Sequence, residues 1–534
     1  MTIESAPPED GAERTGPGPK RVLAPAPGPS TASGAAAARW WRWAAIAVVA
    51  AGVVARFVAR SHLWLDEALT VNIARLPLEK IPDALRHDGS PPLYYVVLHG
   101  WMSVFGTSTW AVRALSGIFG VAALPLAWRA GDRLGGRPAA SAALVLLAVS
   151  PFAVHYSTEA RMYSLLILLV LAGGLLLERV FVGSSWRPAV GLGLVTGALL
   201  LTHYWAMYLI AVVSGALLLL IVRRRNRSGT VRALVAMGTG SLLLVPWLPA
   251  FLSQLGRTGA PWGAPGHELE AIFETLQAFA AGFRGNALFS FLLLEGLVVL
   301  GVLARAVDGR RLELDLRGRE PGRSLALVTF ATLALGLAVG RVTGAAWAVR
   351  YASIVFPGVL LLVALGAAVF VDTRVRHAVL AAAVALGAAG IVPVVAYERT
   401  AAATVAAALR RAAGPGDVVA YCPDQLGPSV SRLLPAGLVQ LTFPRATSPE
   451  RVDWVDYSAV MAAGRMQPFA HMLADRAGPT GDVWLVWSSN YRTLGTKCER
   501  LRRQLGEIRP NRQRVVALSK RFPERMGLVR YRPS

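Results

Sequence analysis

A chain of 534 residues that is 54% hydrophobic and 16% charged, with a mean hydropathy of +0.47, is too apolar for an ordinary soluble globule and reads as an integral membrane protein. The formal charge of +23 does not call for nucleic acid. Lysine occurs only at Lys20, Lys80, Lys497 and Lys520, and much of the arginine falls in short loops, where membrane orientation accounts for it.

Along the chain, residues 1–38 are rich in Pro, Ala, Gly and Ser without an apolar period, and are expected to form a disordered cytoplasmic tail. They lack the order of charged, apolar and cleavage regions that marks a signal peptide. Apolar runs then recur near 43–59, 110–129, 138–154, 161–182, 188–202, 204–222, 231–251, 287–307, 324–341, 348–370 and 377–396. They predict a polytopic domain over 39–396 of roughly 11–13 transmembrane helices. Arginines at 129, 133 and 137, at 187, at 223–227, at 305–323 and at 374–376 assign those loops to the cytoplasm. These loops alternate with the spans only if 91–106, carrying Tyr94, Tyr95, His99 and Trp101, lies along the outer interface within a first external loop at 60–109. The N-terminus is then cytoplasmic, and residues 397–534 form an extracytoplasmic α/β domain of a multi-pass plasma-membrane protein. In that domain, 417–421 and 483–487 read as strands and 497–506 as a helix. Its Cys422 and Cys498 are the only cysteines, which leaves a disulfide open.

Against this topology, an acidic pair, Asp66-Glu67, stands directly after the first span, and His87, Asp88, Glu159, Arg161, His203 and Arg350 fall on the same outer rim. Polar groups gathered on one membrane face point to chemistry there. The motifs Leu65-Asp66-Glu67-Ala68, His87-Asp88-Gly89-Ser90-Pro91-Pro92-Leu93-Tyr94-Tyr95, Arg113-Ala114-Leu115-Ser116-Gly117, Ser150 through Leu165, and Arg350-Tyr351 together resemble the protein O-mannosyltransferase and aminoarabinose-transferase superfamily. The resemblance extends over about 60–355. It implies the GT-C fold and transfer of a sugar, mannose or similar, from a polyprenyl-phosphate donor to an envelope glycan, lipid or protein at the external face.

Such a transfer needs a base for the acceptor hydroxyl and cations for the leaving phosphate. Asp66 is the expected base, with Glu67 as its alternative or partner. Arg350 is expected to hold phosphate through two parallel N–H bonds. His87, Asp88, Tyr94, Glu159, Arg161, Tyr163, His203 and Tyr351 are expected to bind substrate. Six of these residues have a plainer reading: helix N-terminal acids favoured by the dipole for Asp66, Glu67 and Glu159, a turn residue for Asp88, interfacial anchors for His203 and Arg350. No cofactor is evident. Carboxylates and imidazoles suited to a divalent metal are present, but no close His-His or Cys-Cys spacing demands one, and the metal stays unassigned. The alternative functions are a flippase for lipid-linked glycans, which would place charges or broken helices near the midplane, and a non-catalytic envelope assembly subunit.

Overall fold

The computed structural model describes residues 31–533 apart from 225, 259–267, 284–286, 344–346, 490 and 492. The chain divides into two units, Met1–Ile46 and Ala47–Ser534. The described part of the first is helical, with the Trp40 and Trp41 rings edge to face at 4.8 Å. The helix Thr31–Ala55 begins within the stretch expected as a tail; residues 1–30 lie outside the described residues.

In the second unit every predicted span is helical over most of its length, since an apolar run in lipid must satisfy its backbone internally. Among the described residues five helices are long and apolar enough to cross a membrane: Thr109–Ala148, Tyr163–Val182, Arg227–Arg257, Gly322–Thr343 and Thr373–Ala396. Shorter apolar helices, among them Arg187–Thr202, Ala206–Val222 and Phe356–Ala368, complete the set. The runs at 110–129 and 138–154 form one 40-residue helix broken where Gly136 turns to φ 68°, a conformation glycine adopts without Cβ strain. The run at 287–307 stops at Leu303, followed by a small hairpin of β1 (Ala304–Ala306) and β2 (Leu312–Leu314). Helix pairs approach backbone to backbone through glycine. A Cβ on Gly240 would lie 2.0 Å from Gly193 O, so Gly193 serves helix packing, as its place within a span suggests.

The segment 91–106 forms the 13-residue helix Leu93–Phe105, about 20 Å long and too short to cross the hydrocarbon core. Before it come the helices Leu65–Ala74 and Ile81–Asp88, the latter ended by Gly89 at φ 87°.

The C-terminal domain is built on a five-stranded sheet of β3 (Val418–Cys422), β4 (Val439–Thr442), β5 (Val483–Trp487), β6 (Arg512–Val516) and β7 (Gly527–Tyr531), in the order β4-β3-β5-β7-β6. The first three strands are parallel, as buried apolar runs with helical crossovers require, and β7 and β6 are antiparallel. A Cys422–Cys498 disulfide, with Cα atoms 5.5 Å apart, joins the end of β3 to the helix Lys497–Ile508. This domain packs on the 60–109 region: Asn72 Nδ2 donates to Glu450 O at 2.7 Å, Trp454 N donates to His87 O at 3.0 Å, and Arg432 Nη2 donates to Thr107 O at 3.1 Å.

Candidate functional site

Asp66 and Glu67 open the Leu65–Ala74 helix, where carboxylates meet the positive end of the dipole. Neighbours on a helix point about 100° apart, and the structure separates the two completely. Glu67 is fully buried. Arg113 grips it with Nε to Oε1 at 2.7 Å and Nη2 to Oε2 at 2.6 Å, and the Ala160 N–H donates to Oε1 at 2.9 Å. Burial alone would raise the Glu67 pKa, but Arg113, followed by Arg399 at 4.0 Å, holds it below the ordinary carboxylate value. Glu67 therefore ties three segments together and does not reach the cavity where Asp66 lies.

That cavity, of about 390 Å³, brings together Asp66, Asp88, Arg161, Tyr163, His203, Arg350 and Tyr351. The Arg350 guanidinium approaches Asp66, with Nη1 3.5 Å from Oδ2 and both side chains partly open to solvent. Arg161 is 9% exposed; its Nη1 donates to Thr70 Oγ1 at 2.8 Å, while its Nε has no hydrogen-bond partner among the described residues. A buried, unmatched guanidinium N–H beside a second arginine suits an anion. Asp88 accepts from Tyr95 OH at 2.7 Å. Burial raises the Asp88 pKa despite Arg161 and Tyr95, which favour the charged form.

One wall is aromatic. Tyr163 neighbours His203 at 5.9 Å, His203 neighbours Tyr351 at 5.4 Å, and Trp205 lies between Tyr351 and Trp347 at 6.1 and 5.0 Å. Gly336 lets the Gly322–Thr343 helix press on this wall, since a Cβ there would meet the Trp205 ring at 2.3 Å. Gln254 and Thr258 also line the cavity. The cavity thus combines charged side chains with an aromatic cluster.

Three expected binding residues stand elsewhere. His87 is half-exposed and pairs with Asp453 at 3.0 Å. Tyr94 is buried against Ser116 Oγ at 2.8 Å. Glu159 accepts from Trp64 Nε1 at 2.9 Å and faces His155 Nε2 at 3.6 Å. Among the described residues no group of three or more His, Cys, Asp or Glu side chains is placed to hold a metal ion.

Residues 89–249 match the family model described as dolichyl-phosphate-mannose-protein mannosyltransferase. The fold matches ArnT from Cupriavidus metallidurans bound to undecaprenyl phosphate, at 14% identity and a TM-score of 0.53, covering 92% of this chain and 98% of that one. The apo form of the same protein gives 15% identity and a TM-score of 0.54 with equal coverage. The chain has the GT-C fold, and over residues 89–249 it is similar to this mannosyltransferase family. No curated protein matches it in sequence.

In this GT-C fold, several residues of the site are not marked by the sequence. Tyr95 takes the place expected of Tyr94 beside the cavity, a difference of helical phase within one dipeptide. Trp347 stands in the sequence among other interfacial aromatics and only its ring contact with Trp205 sets it apart. Trp454 lines the cavity from the C-terminal domain, and Arg399 reaches Thr158 Oγ1 at 2.7 Å beside Glu67; no local pattern marks either one.

Proposed function

We propose that the cavity is the active site of an inverting glycosyltransferase, moving a sugar from a polyprenyl-phosphate donor to an envelope glycan, lipid or protein at the external membrane face. The observation that carries this reading is the meeting of Asp66 with Arg350 at 3.5 Å in a cavity that also holds Arg161. The acceptor oxygen attacks the sugar C1, and the C1–O bond to the lipid phosphate breaks with its electron pair staying on phosphate. Asp66 takes the acceptor proton. Arg350 and Arg161 neutralise the leaving phosphate. Trp205 and Trp347 of the aromatic wall offer an apolar surface to the polyprenyl chain, in keeping with the undecaprenyl phosphate bound to ArnT. His203, Tyr163, Tyr351 and Asp88 line the space left for the sugar and acceptor. A disulfide in the C-terminal domain supports an oxidising, external compartment for it.

The test uses purified full-length protein, radiolabelled polyprenyl-phosphate sugars and envelope acceptors. Release of polyprenyl phosphate with a labelled product of inverted anomeric configuration supports the reading. Movement of intact labelled lipid across vesicles without release would favour a flippase instead.

A further inference from the structure

The helix that carries Asp66 has no cap of its own. Trp64, at its N-cap, is extended (φ −86°, ψ 175°), and no side chain there accepts a hydrogen bond. The first N–H groups of a helix need acceptors from outside it. One comes from the far end of the chain: Leu65 N–H donates to Glu524 Oε1 at 3.0 Å, across 459 residues. Leu65 and Glu524 are 8% and 7% exposed, so water is a poor substitute for this bond.

Glu524 is itself firmly held. The Ser429 hydroxyl donates to its Oε1 at 3.3 Å. Its N–H donates to Arg399 O at 3.0 Å, and its carbonyl accepts from Ala401 N–H at 3.1 Å. Arg399 in turn donates from its backbone to Ser61 Oγ at 2.9 Å and from its guanidinium to Thr158 O and Oγ1 at 3.2 and 2.7 Å. The segment just past the last membrane helix and the turn before β7 therefore form one staple. It touches the chain at residues 61, 65 and 158, around Asp66.

We infer that Glu524 is a positioning residue for Asp66: the C-terminal domain caps the catalytic helix in trans and fixes where its carboxylate meets Arg350 and the acceptor. This rests on the reading of Asp66 as the base. The capped N–H belongs to the residue immediately before Asp66, so its loss moves the carboxylate, and a displacement near 1 Å suffices to cost about 10²-fold in rate. Burial pushes Glu524 up to about 8, so at neutral pH a neutral carboxyl supplies the acceptor oxygen. A glutamine reproduces that oxygen; a leucine of similar size does not.

The experiment compares full-length wild type, Glu524→Gln, Glu524→Leu and Asp66→Asn for turnover, for affinity toward polyprenyl phosphate and for amide hydrogen exchange over residues 65–70. Glu524→Leu should lose about tenfold or more in turnover, with polyprenyl-phosphate affinity unchanged and faster exchange at the start of the helix. Glu524→Gln should restore turnover to within about threefold of wild type. Wild-type turnover by Glu524→Leu beside an inactive Asp66→Asn overturns this inference and leaves the function standing, as does a Glu524→Gln as impaired as the leucine variant. Wild-type turnover by Asp66→Asn overturns both. Should Glu524→Leu fail to fold, Ser429→Ala carries the same test: reduced turnover at unchanged polyprenyl-phosphate affinity supports the inference, and unchanged turnover overturns it.

Discussion

The two sides of one helical turn hold ion pairs of the same chemistry and opposite character. On the core side, Glu67 and Arg113 meet at 2.6 Å with side chains 0% and 7% exposed, and a backbone N–H from Ala160 adds a further bond to the carboxylate. On the cavity side, Asp66 and Arg350 stand 3.5 Å apart with side chains 15% and 22% exposed. The core pair is saturated and has nothing left for a ligand. The looser pair can exchange partners, its arginine toward a phosphate and its carboxylate toward a hydroxyl, without emptying a buried site. Sequence adjacency therefore hides a division of labour: one acid ties distant segments together and the other faces the cavity.

The largest expected effect breaks the core pair. Glu67→Ala leaves the Arg113 charge buried and uncompensated, which costs about 3–5 kcal/mol; thermal unfolding should show a large loss of stability. Asp66→Ala, with its partner open to solvent, should melt close to wild type. Equal losses for the two would erase the contrast.

A smaller effect is expected at Arg350. Arg350→Ala should weaken polyprenyl-phosphate binding by about tenfold or more, and Arg350→Lys should recover part of that loss, because a point charge restores attraction without the paired N–H geometry. Direct binding of polyprenyl phosphate measures both. Unchanged affinity in the alanine variant would leave the phosphate to Arg161 alone.

The smallest effect concerns Asp424 of the C-terminal domain, far from either pair in sequence. Burial pushes this carboxyl up to about 7 even though Tyr457 OH donates to it at 2.6 Å. Its folded value lies above the unfolded value of 3.8, so the folded chain keeps a proton that the unfolded chain has released. Stability from this group is therefore complete below about pH 4 and declines as pH rises toward 7. The melting temperature of Asp424→Asn should fall less than that of wild type between pH 5 and 8. An identical slope would remove Asp424 from the balance.

Much of this arrangement is legible in the sequence, for local reasons. Apolar runs give the helices because lipid leaves the backbone no other way to bond. The short aromatic run at 91–106 gives the helix Leu93–Phe105, and the runs at 417–421 and 483–487 give β3 and β5 almost residue for residue. Seven expected site residues meet in one cavity because each lies at the end or start of a helix near one rim. What escapes notice depends on helical phase or on distant contacts. Phase turns Tyr94 into the core and leaves Tyr95 beside Asp88, and it sends Glu67 away from Asp66. Gly89 ends the Ile81–Asp88 helix such that His87 meets Asp453 of the C-terminal domain, 366 residues away, and not the cavity. Trp454 and Glu524 act across similar separations, which no local spacing can reveal.

The central claim is that the cavity-side acid performs the proton transfer. Single-turnover transfer of radiolabelled sugar from a polyprenyl-phosphate donor, by purified wild type and Asp66→Asn with donor binding measured on the same samples, tests it most directly. With Asp66 as the base, donor binding stays intact in the variant and the rate falls on the order of 10²-fold or more. Transfer by Asp66→Asn at the wild-type rate would contradict it.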